Sequence, residues 1–205
     1  QRAKPQDLLE AFGRAVDSLG GKYITAQDVG ISEADMVVVS KVTPHVAGLP
    51  GQGGDPGPYT ARGVFLGVKA AVKHALGTDD LHGVHVAIQG VGSVGAGLAR
   101  YLAAGGAKLT LADVDAQRAA ALAHELGGQS VAADTIMTLE ADVFSPCALG
   151  AVLTESSVAA LKVRAVAGGA NNQLATGAEG RMLADRGILY APDYVINAGG
   201  IINVL

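Results

Sequence analysis

A doubly wound α/β sheet, joined to part of a second domain, is predicted by two features of the 205-residue sequence. From Val84 onward, short apolar strands alternate with helix-period segments at intervals that demand right-handed parallel crossovers. A G-x-G-x-x-G triplet, Gly90, Gly92 and Gly95, falls between the first of those strands and the helix after it.

The elements follow in order. Leu8, Leu9, Phe12, Val16 and Leu19 recur at helical spacing, and Gly20-Gly21 stops that helix. A polar turn, Thr25 to Gly30, precedes an apolar run from Met36 to Val39 that reads as a strand. Residues 43–58 are rich in Pro and Gly and read as a loop or inter-domain crossing. Thr60 stands where it can cap the next helix, which carries Val64, Val68, Ala71 and Val72 on one side and ends at Gly77. Then come a strand at Val84–Ile88, a helix through Val94, Leu98 and Leu102 to Gly105-Gly106, and a strand at Leu109–Ala112. A helix over Ala116–Leu126 closes at Gly127-Gly128. Further strands are expected near Val131, at Asp142–Phe144, at Val163–Ala167 and at Ile188–Ala191. A helix is expected over Glu155–Leu161, and Thr176 and Glu179 have capping-box spacing for another ending before Gly187. This order divides the chain into residues 1–58, part of a substrate domain with its crossing, and residues 59–205, a nucleotide-binding domain.

Composition narrows the partners. The net charge is −4 without a Lys/Arg cluster, which argues against nucleic acid or an anionic membrane. Trp is absent and aromatics are few, against a sugar or base-stacking platform. No apolar run approaches the roughly 18 residues that span a bilayer. The single cysteine, Cys147, has no internal disulfide or zinc-cage partner, as fits a reducing cytoplasm, and no metal site is expected. The start at Gln1 and the apolar finish Ile201–Leu205 suggest a piece of a longer chain.

The glycine triplet carries the functional argument. Gly90 permits a tight turn out of the strand, Gly92 lets the backbone approach a diphosphate, and Gly95 lets the helix pack closely on the sheet. Ser93 and Val94 complete a helix start whose N–H groups and partial positive charge suit phosphates. The plain alternative is a glycine turn in an unrelated α/β domain. Asp113, at the end of the next strand, stands at about the ~20-residue offset expected of the acid that accepts hydrogen bonds from the adenosine ribose. Such a carboxylate repels a 2′-phosphate, and no Arg or Lys follows it directly, so NAD is favoured over NADP. Asp115 can share that role, but helix capping suits it better. Together these are the marks of a Rossmann dinucleotide-binding unit.

The sequence also resembles the glutamate/leucine/phenylalanine/valine dehydrogenase superfamily, closest to its leucine–valine–phenylalanine branch. The likeness rests on Tyr23–Gly30, on Gly54–Thr60 with Gly63-Val-Phe, and on Gly90–Gly95. It continues through Pro146–Gly150, Gly169-Ala-Asn-Asn-Gln173 and Tyr190–Gly200, in order over nearly the whole chain. Such enzymes interconvert an L-amino acid with its 2-oxo acid and ammonia, passing the Cα hydride to the nicotinamide. The resemblance implies that Asp28 shuttles a proton to and from the substrate nitrogen, as a general acid/base must. It places Thr60 near the nicotinamide amide, and Cys147, Ala148 and Leu149 along the cofactor site through their backbone. Asn171 and Asn172 fall beside the nicotinamide ribose and Asn197 on the nicotinamide or substrate side, each alternatively a turn residue satisfying its own backbone. Hydride transfer needs no thiol nucleophile, so Cys147 is not read as one.

The pattern also departs from the family. Two substrate-side lysines upstream of Asp28 have no counterpart, since Lys4 and Lys22 lack the glycine-rich context. The helices that follow the Asn-Ala-Gly-Gly segment are missing too. The chain as it stands is therefore expected to bind NAD without turning over, and a homo-oligomer is expected of the full-length protein. Apolar residues such as Val42 and Val46 lean against glutamate and toward a branched-chain or aromatic L-amino acid, with leucine or valine preferred over phenylalanine. The competing readings are a dehydrogenase of another substrate class and an NAD-binding regulatory or sensing domain.

Overall fold

A computed structural model describes residues 4–28, 30–51 and 55–204. Val29, Gln52–Gly54 and Leu205 lie outside the described residues, and with them parts of the Asp-Val-Gly turn, the Gly-rich crossing and the apolar finish. The chain divides into two compact units, Gln1–Pro56 with Gly200–Leu205, and Gly57–Gly199.

The first unit contains α1 (Gln6–Asp17) and α2 (Glu33–Ser40). Helix α1 buries Leu9 and Val16, whereas Leu8 and Phe12 remain exposed. The run Met36–Val39, expected to be a strand, is helical. Ser32 and Asp35 form a reciprocal capping box that starts a helix, and Met36 and Val39 then bury on one face. β-Branched residues lower helix propensity by only tenths of a kcal/mol, so the cap and the packing prevail. Leu9, Met36, Val39 and Val46 make a small core. Thr25 bridges to Val46 in parallel.

The second unit opens with α3 (Gly57–Leu76), which starts three residues before Thr60. Thr60 therefore lies within the first turn and is not the cap; Pro58 suits that turn because its missing N–H needs no helical partner. Next come β1 (His85–Gln89), α4 (Ser93–Ala104), β2 (Lys108–Ala112), α5 (Ala116–Leu126) and β3 (Gln129–Ser130). After a 3₁₀ turn at Ile136–Thr138 come β4 (Val143–Pro146), α6 (Glu155–Ala160), β5 (Ala165–Val166), α7 (Ala178–Asp185) and β6 (Leu189–Tyr190). Two short helices, α8 (Asp193–Ile196) and α9 (Gly199–Val204), were not anticipated from the sequence. Thr176 bonds Glu179 through its N–H and hydroxyl, both at 2.7 Å, but Gly177 is the N-cap of α7.

The six strands are parallel in the order β3-β2-β1-β4-β5-β6, a doubly wound sheet. Side chains alternate between its faces. Val86, Ile88, Leu111 and Val143 pack under α3, α4 and α5. Ala87, Phe144 and Val166 face the 3₁₀ turn, α6 and α7. Burial on both faces is what an all-parallel sheet requires. The order of strands reverses at β1 and β4, and open α/β sheets bind ligands beyond the carboxyl ends of the strands at such a point. Among the described residues, no helix is long and apolar enough to cross a membrane.

Candidate functional site

The chain leaves β1 through Gly90 at φ 91°, a conformation L side chains rarely adopt. Its N–H donates to the Ala112 carbonyl at 2.7 Å, tying the turn to the end of β2. Helix α4 then starts from Gly92. A Cβ added at Gly95 would stand 1.9 Å from the Gly90 carbonyl oxygen, whereas one at Gly92 would meet nothing within 4 Å. The first glycine turns, the third packs, and the middle one faces open space. The first helical bond of α4 runs from Ala96 N–H to the Gly92 carbonyl at 2.9 Å, so by helix geometry Val94 and Gly95 present N–H groups ahead of it. A turn that a side chain would fill, open at Gly92 and backed by a helix N-terminus, fits a diphosphate.

The end of β4 closes against this turn. Cys147 N–H donates to the Gln89 carbonyl at 2.7 Å, and a Cβ at Gly90 would meet Ala148 N at 2.8 Å. Ala148 and Leu149 are exposed. Burial pushes the Cys147 thiol up, against weaker opposing bonds from Gly169 N–H and Ser145.

Asp113, at the end of β2, is buried and its carboxylate is engaged. Oδ2 accepts from Val91 N–H at 2.8 Å; Oδ1 accepts from Asp115 N–H at 2.9 Å and from Arg118 Nη2 at 2.7 Å. Burial pushes this carboxyl up, but those bonds and the Arg118 charge outweigh it and hold the pKa below the ordinary value. The sequence showed no cation directly after Asp113. Asp115 caps α5 by accepting from Arg118 N–H at 3.1 Å, and the helical turn so begun carries Arg118 back onto Asp113. No cation follows Asp113 directly, but one reaches it from the first turn of α5.

The loop after β5 is held from within. Gln173 is buried and its Nε2 donates to the Gly168 carbonyl at 2.7 Å and to Ala170 at 3.0 Å. Asn172 adopts φ 52°. Its N–H donates to Asp193 Oδ2 at 2.8 Å, while Tyr190 Oη donates to Asp193 Oδ1 at 2.9 Å. Asn197 Nδ2 donates to Asn171 Oδ1 at 2.7 Å. Asn171, Asn172 and Asn197 are thus brought together, and Thr60 adjoins them through Gly199, where an added Cβ would stand 3.3 Å from Thr60 N. Sequence reasoning missed Asp193, Tyr190, Gln173 and Arg118. Gln173, Tyr190 and Asp193 fall in stretches that carried the resemblance, and Arg118 in none of them.

Asp28 belongs to the first unit, where it is exposed and its carbonyl accepts from Ile31 N–H at 3.0 Å. Lys4 donates to the Gly30 carbonyl and lies 4.0 Å from Asp35. A concavity lined by His85, Asp142, Lys162 and Arg164 opens at the amino ends of the strands, the wrong end for a ligand of this fold.

The sheet order and the glycine turn define an α/β protein of the Rossmann type. A family model described as Glutamate/Leucine/Phenylalanine/Valine dehydrogenase matches residues 110–204. A leucine dehydrogenase of Thermoactinomyces intermedius is 45% identical over 207 residues, covering 100% of this chain and 57% of the relative. A phenylalanine dehydrogenase of Bacillus thermotolerans is 42% identical, covering 100% of this chain and 56% of that one. The crystal structure of L-tryptophan dehydrogenase from Nostoc punctiforme superposes with a TM-score of 0.79 at 44% identity, over 100% of this chain and 59% of that one. Over residues 110–204 the chain is thus similar to the glutamate/leucine/phenylalanine/valine dehydrogenase family, and it spans a little over half the length of these relatives.

Proposed function

We propose that the chain is part of an NAD-dependent dehydrogenase of branched-chain or aromatic L-amino acids, with leucine or valine preferred. Residues 1–58 would belong to the substrate domain and residues 59–205 to the nucleotide domain. The observation that carries this is the turn at Gly90, Gly92 and Gly95, set at the β1–β4 reversal with Asp113 beside it. Kinship with leucine, phenylalanine and tryptophan dehydrogenases supports the substrate class.

In this reading Gly92 and the start of α4, with Ser93 and Val94, seat the diphosphate, and Asp113 accepts from the ribose hydroxyls. The backbone of Cys147, Ala148 and Leu149 lines the same site. Thr60, Asn171, Asn172 and Asn197 hold the nicotinamide side, where the bond from Asn197 to Asn171 restricts side-chain freedom. When bound, the nicotinamide supplies an acceptor for the Cα hydride. Asp28 takes the proton from the substrate nitrogen and returns it as ammonia leaves, while water supplies the oxygen of the 2-oxo acid.

Calorimetric titration with NAD, followed by NADH absorbance with L-leucine on the gene's full product, tests the proposal. Binding and NADH formation are expected. Binding without NADH for any apolar amino acid favours a sensing domain, and no binding at all overturns both.

A further inference from the structure

Gln173 sits behind the asparagine loop, 0% exposed, and no step of the proposed reaction uses it. Its Nε2 donates to the carbonyls of Gly168 and Ala170, at 2.7 and 3.0 Å. A carbonyl can only accept, so this pair fixes the nitrogen of the amide toward the loop. Oε1 is buried and has no partner among the described residues. Leaving an enclosed oxygen unpaired is unfavourable, and an apolar side chain would avoid it, so the two donors are the reason for an amide here.

What Gln173 grips is interleaved with what Asn197 bonds. Between Gly168 and Ala170 lies Gly169, whose carbonyl accepts from Asn197 Nδ2 at 3.4 Å. The same nitrogen donates to Asn171 Oδ1 at 2.7 Å, just past Ala170. The backbone at Asn197 is anchored separately, because Ile196 lies close against α3. A Cβ added at Gly67 would stand 2.5 Å from Ile196 Cγ2, and one at Gly63 2.8 Å from the Ile196 carbonyl oxygen. Helix packing thus fixes one end of the Asn171–Asn197 bond, and the amide of Gln173 fixes the other.

We infer that Gln173 is a positioning residue for the nicotinamide half of the dinucleotide, acting through Gly169 and Asn171 on Asn197. The inference rests on the nucleotide reading and adds to it a residue that touches no ligand. An apolar side chain of the same length fills the space but takes both donors from the Gly168 and Ala170 carbonyls. The loop then relaxes away from Asn197. The diphosphate turn at Gly92 and the start of α4 belong to other elements and keep their geometry.

The test is calorimetric binding of NAD and ADP to the 205-residue chain. ADP keeps the adenosine and diphosphate and lacks the nicotinamide riboside. The ratio of the two affinities is the readout, because a loss of folded protein cancels from it. Gln173→Met is expected to cut the preference for NAD over ADP by roughly three- to tenfold, the scale of a hydrogen bond, and to leave ADP within about twofold. Gln173→Glu, which replaces the donor nitrogen by an acceptor, is expected to do at least as much. Gln173→Asn keeps the donors on a shorter stem, is expected to fall between, and serves where the Met variant does not fold. Asn197→Ala is expected to lower the ratio too, and Gln173→Met added to it to change nothing more. An equal effect of Gln173→Met on both nucleotides, or none on either, overturns the inference. So does a full further loss in the double variant, or a Gln173→Glu chain that binds like the unaltered one. NAD held no more tightly than ADP by the unaltered chain overturns it as well, since the loop then contributes nothing to the nicotinamide half. Failure of both nucleotides to bind the unaltered chain overturns the nucleotide reading itself.

Discussion

Gly95 packs so closely on Gly90 that a Cβ added to Gly95 would stand 1.9 Å from the Gly90 carbonyl oxygen. The obstacle is backbone and cannot rotate away. Gly95→Ala must therefore displace α4 from the end of β1. Overpacking of this kind costs about 1–3 kcal/mol, which corresponds to a fall of roughly 2–12 °C in Tm for a chain of this size. Gly92→Ala, with nothing within 4 Å of its added Cβ, is expected to leave Tm nearly unchanged while weakening NAD. Thermal melts and calorimetry on the two variants separate packing from binding.

Asp113 links stability to pH. Burial raises its pKa, but hydrogen bonds from Val91, Asp115 and Arg118 more than reverse this. A carboxyl depressed in the folded state contributes its stability in full above its unfolded value near 4 and loses it as pH falls through the lower folded value. Asp113→Asn is expected to lower stability at neutral pH and to flatten the loss of stability below about pH 4. Urea unfolding at a series of pH values measures both effects.

Asp193 braces two segments at once, accepting from Asn172 N–H and Tyr190 Oη. Its removal in Asp193→Ala deletes both bonds where water can replace the acceptor, at an expected cost of about 0.5–1.5 kcal/mol. The Tyr190 hydroxyl is pushed up first by burial and then by Asp193. The same variant is therefore expected to lower the Tyr190 pKa, read from tyrosinate absorbance during alkaline titration.

Asn172 holds φ 52°, in the left-handed region. Asn172→Gly relieves that conformation and is expected to keep Tm, whereas Asn172→Val is expected to lose about 1–2 kcal/mol. If Asn172 also touches the nicotinamide ribose, the Gly variant weakens NAD while its melt stays intact.

Cys147 is expected to react slowly with iodoacetamide at neutral pH, because burial raises its pKa and leaves little thiolate. Alkylation followed by mass spectrometry is expected to accelerate only as pH rises into the alkaline range. Rapid labelling at neutral pH would show a thiol in a different environment.

Most of the sheet was legible before any coordinates. From β1 to α5 each element carries its own apolar pattern, and glycine marks the ends of β1, α4 and α5, so both type and order are local properties. The run Met36–Val39 was misread because its β-branched residues suggest a strand, while the cap that decides for helix lies outside the run, at Ser32 and Asp35. Helices α8 and α9 span 4 and 6 residues, too few to show a period. The glycine turn, Asp113 and the three asparagines were all named from sequence, and their mutual hydrogen bonds were not.

The sequence by itself determined the alternation of strands and helices and the position of the glycine turn, because hydrophobic period and glycine geometry act over a few neighbouring residues. Only the tertiary structure decided which charges and amides meet. Arg118 reaches Asp113 because Asp115 starts a helix that turns it back, and Asp193 reaches Asn172 because two loops converge past the ends of β5 and β6. Hydrogen bonds and ion pairs depend on distances of about 3 Å, and separation along the chain does not specify those distances.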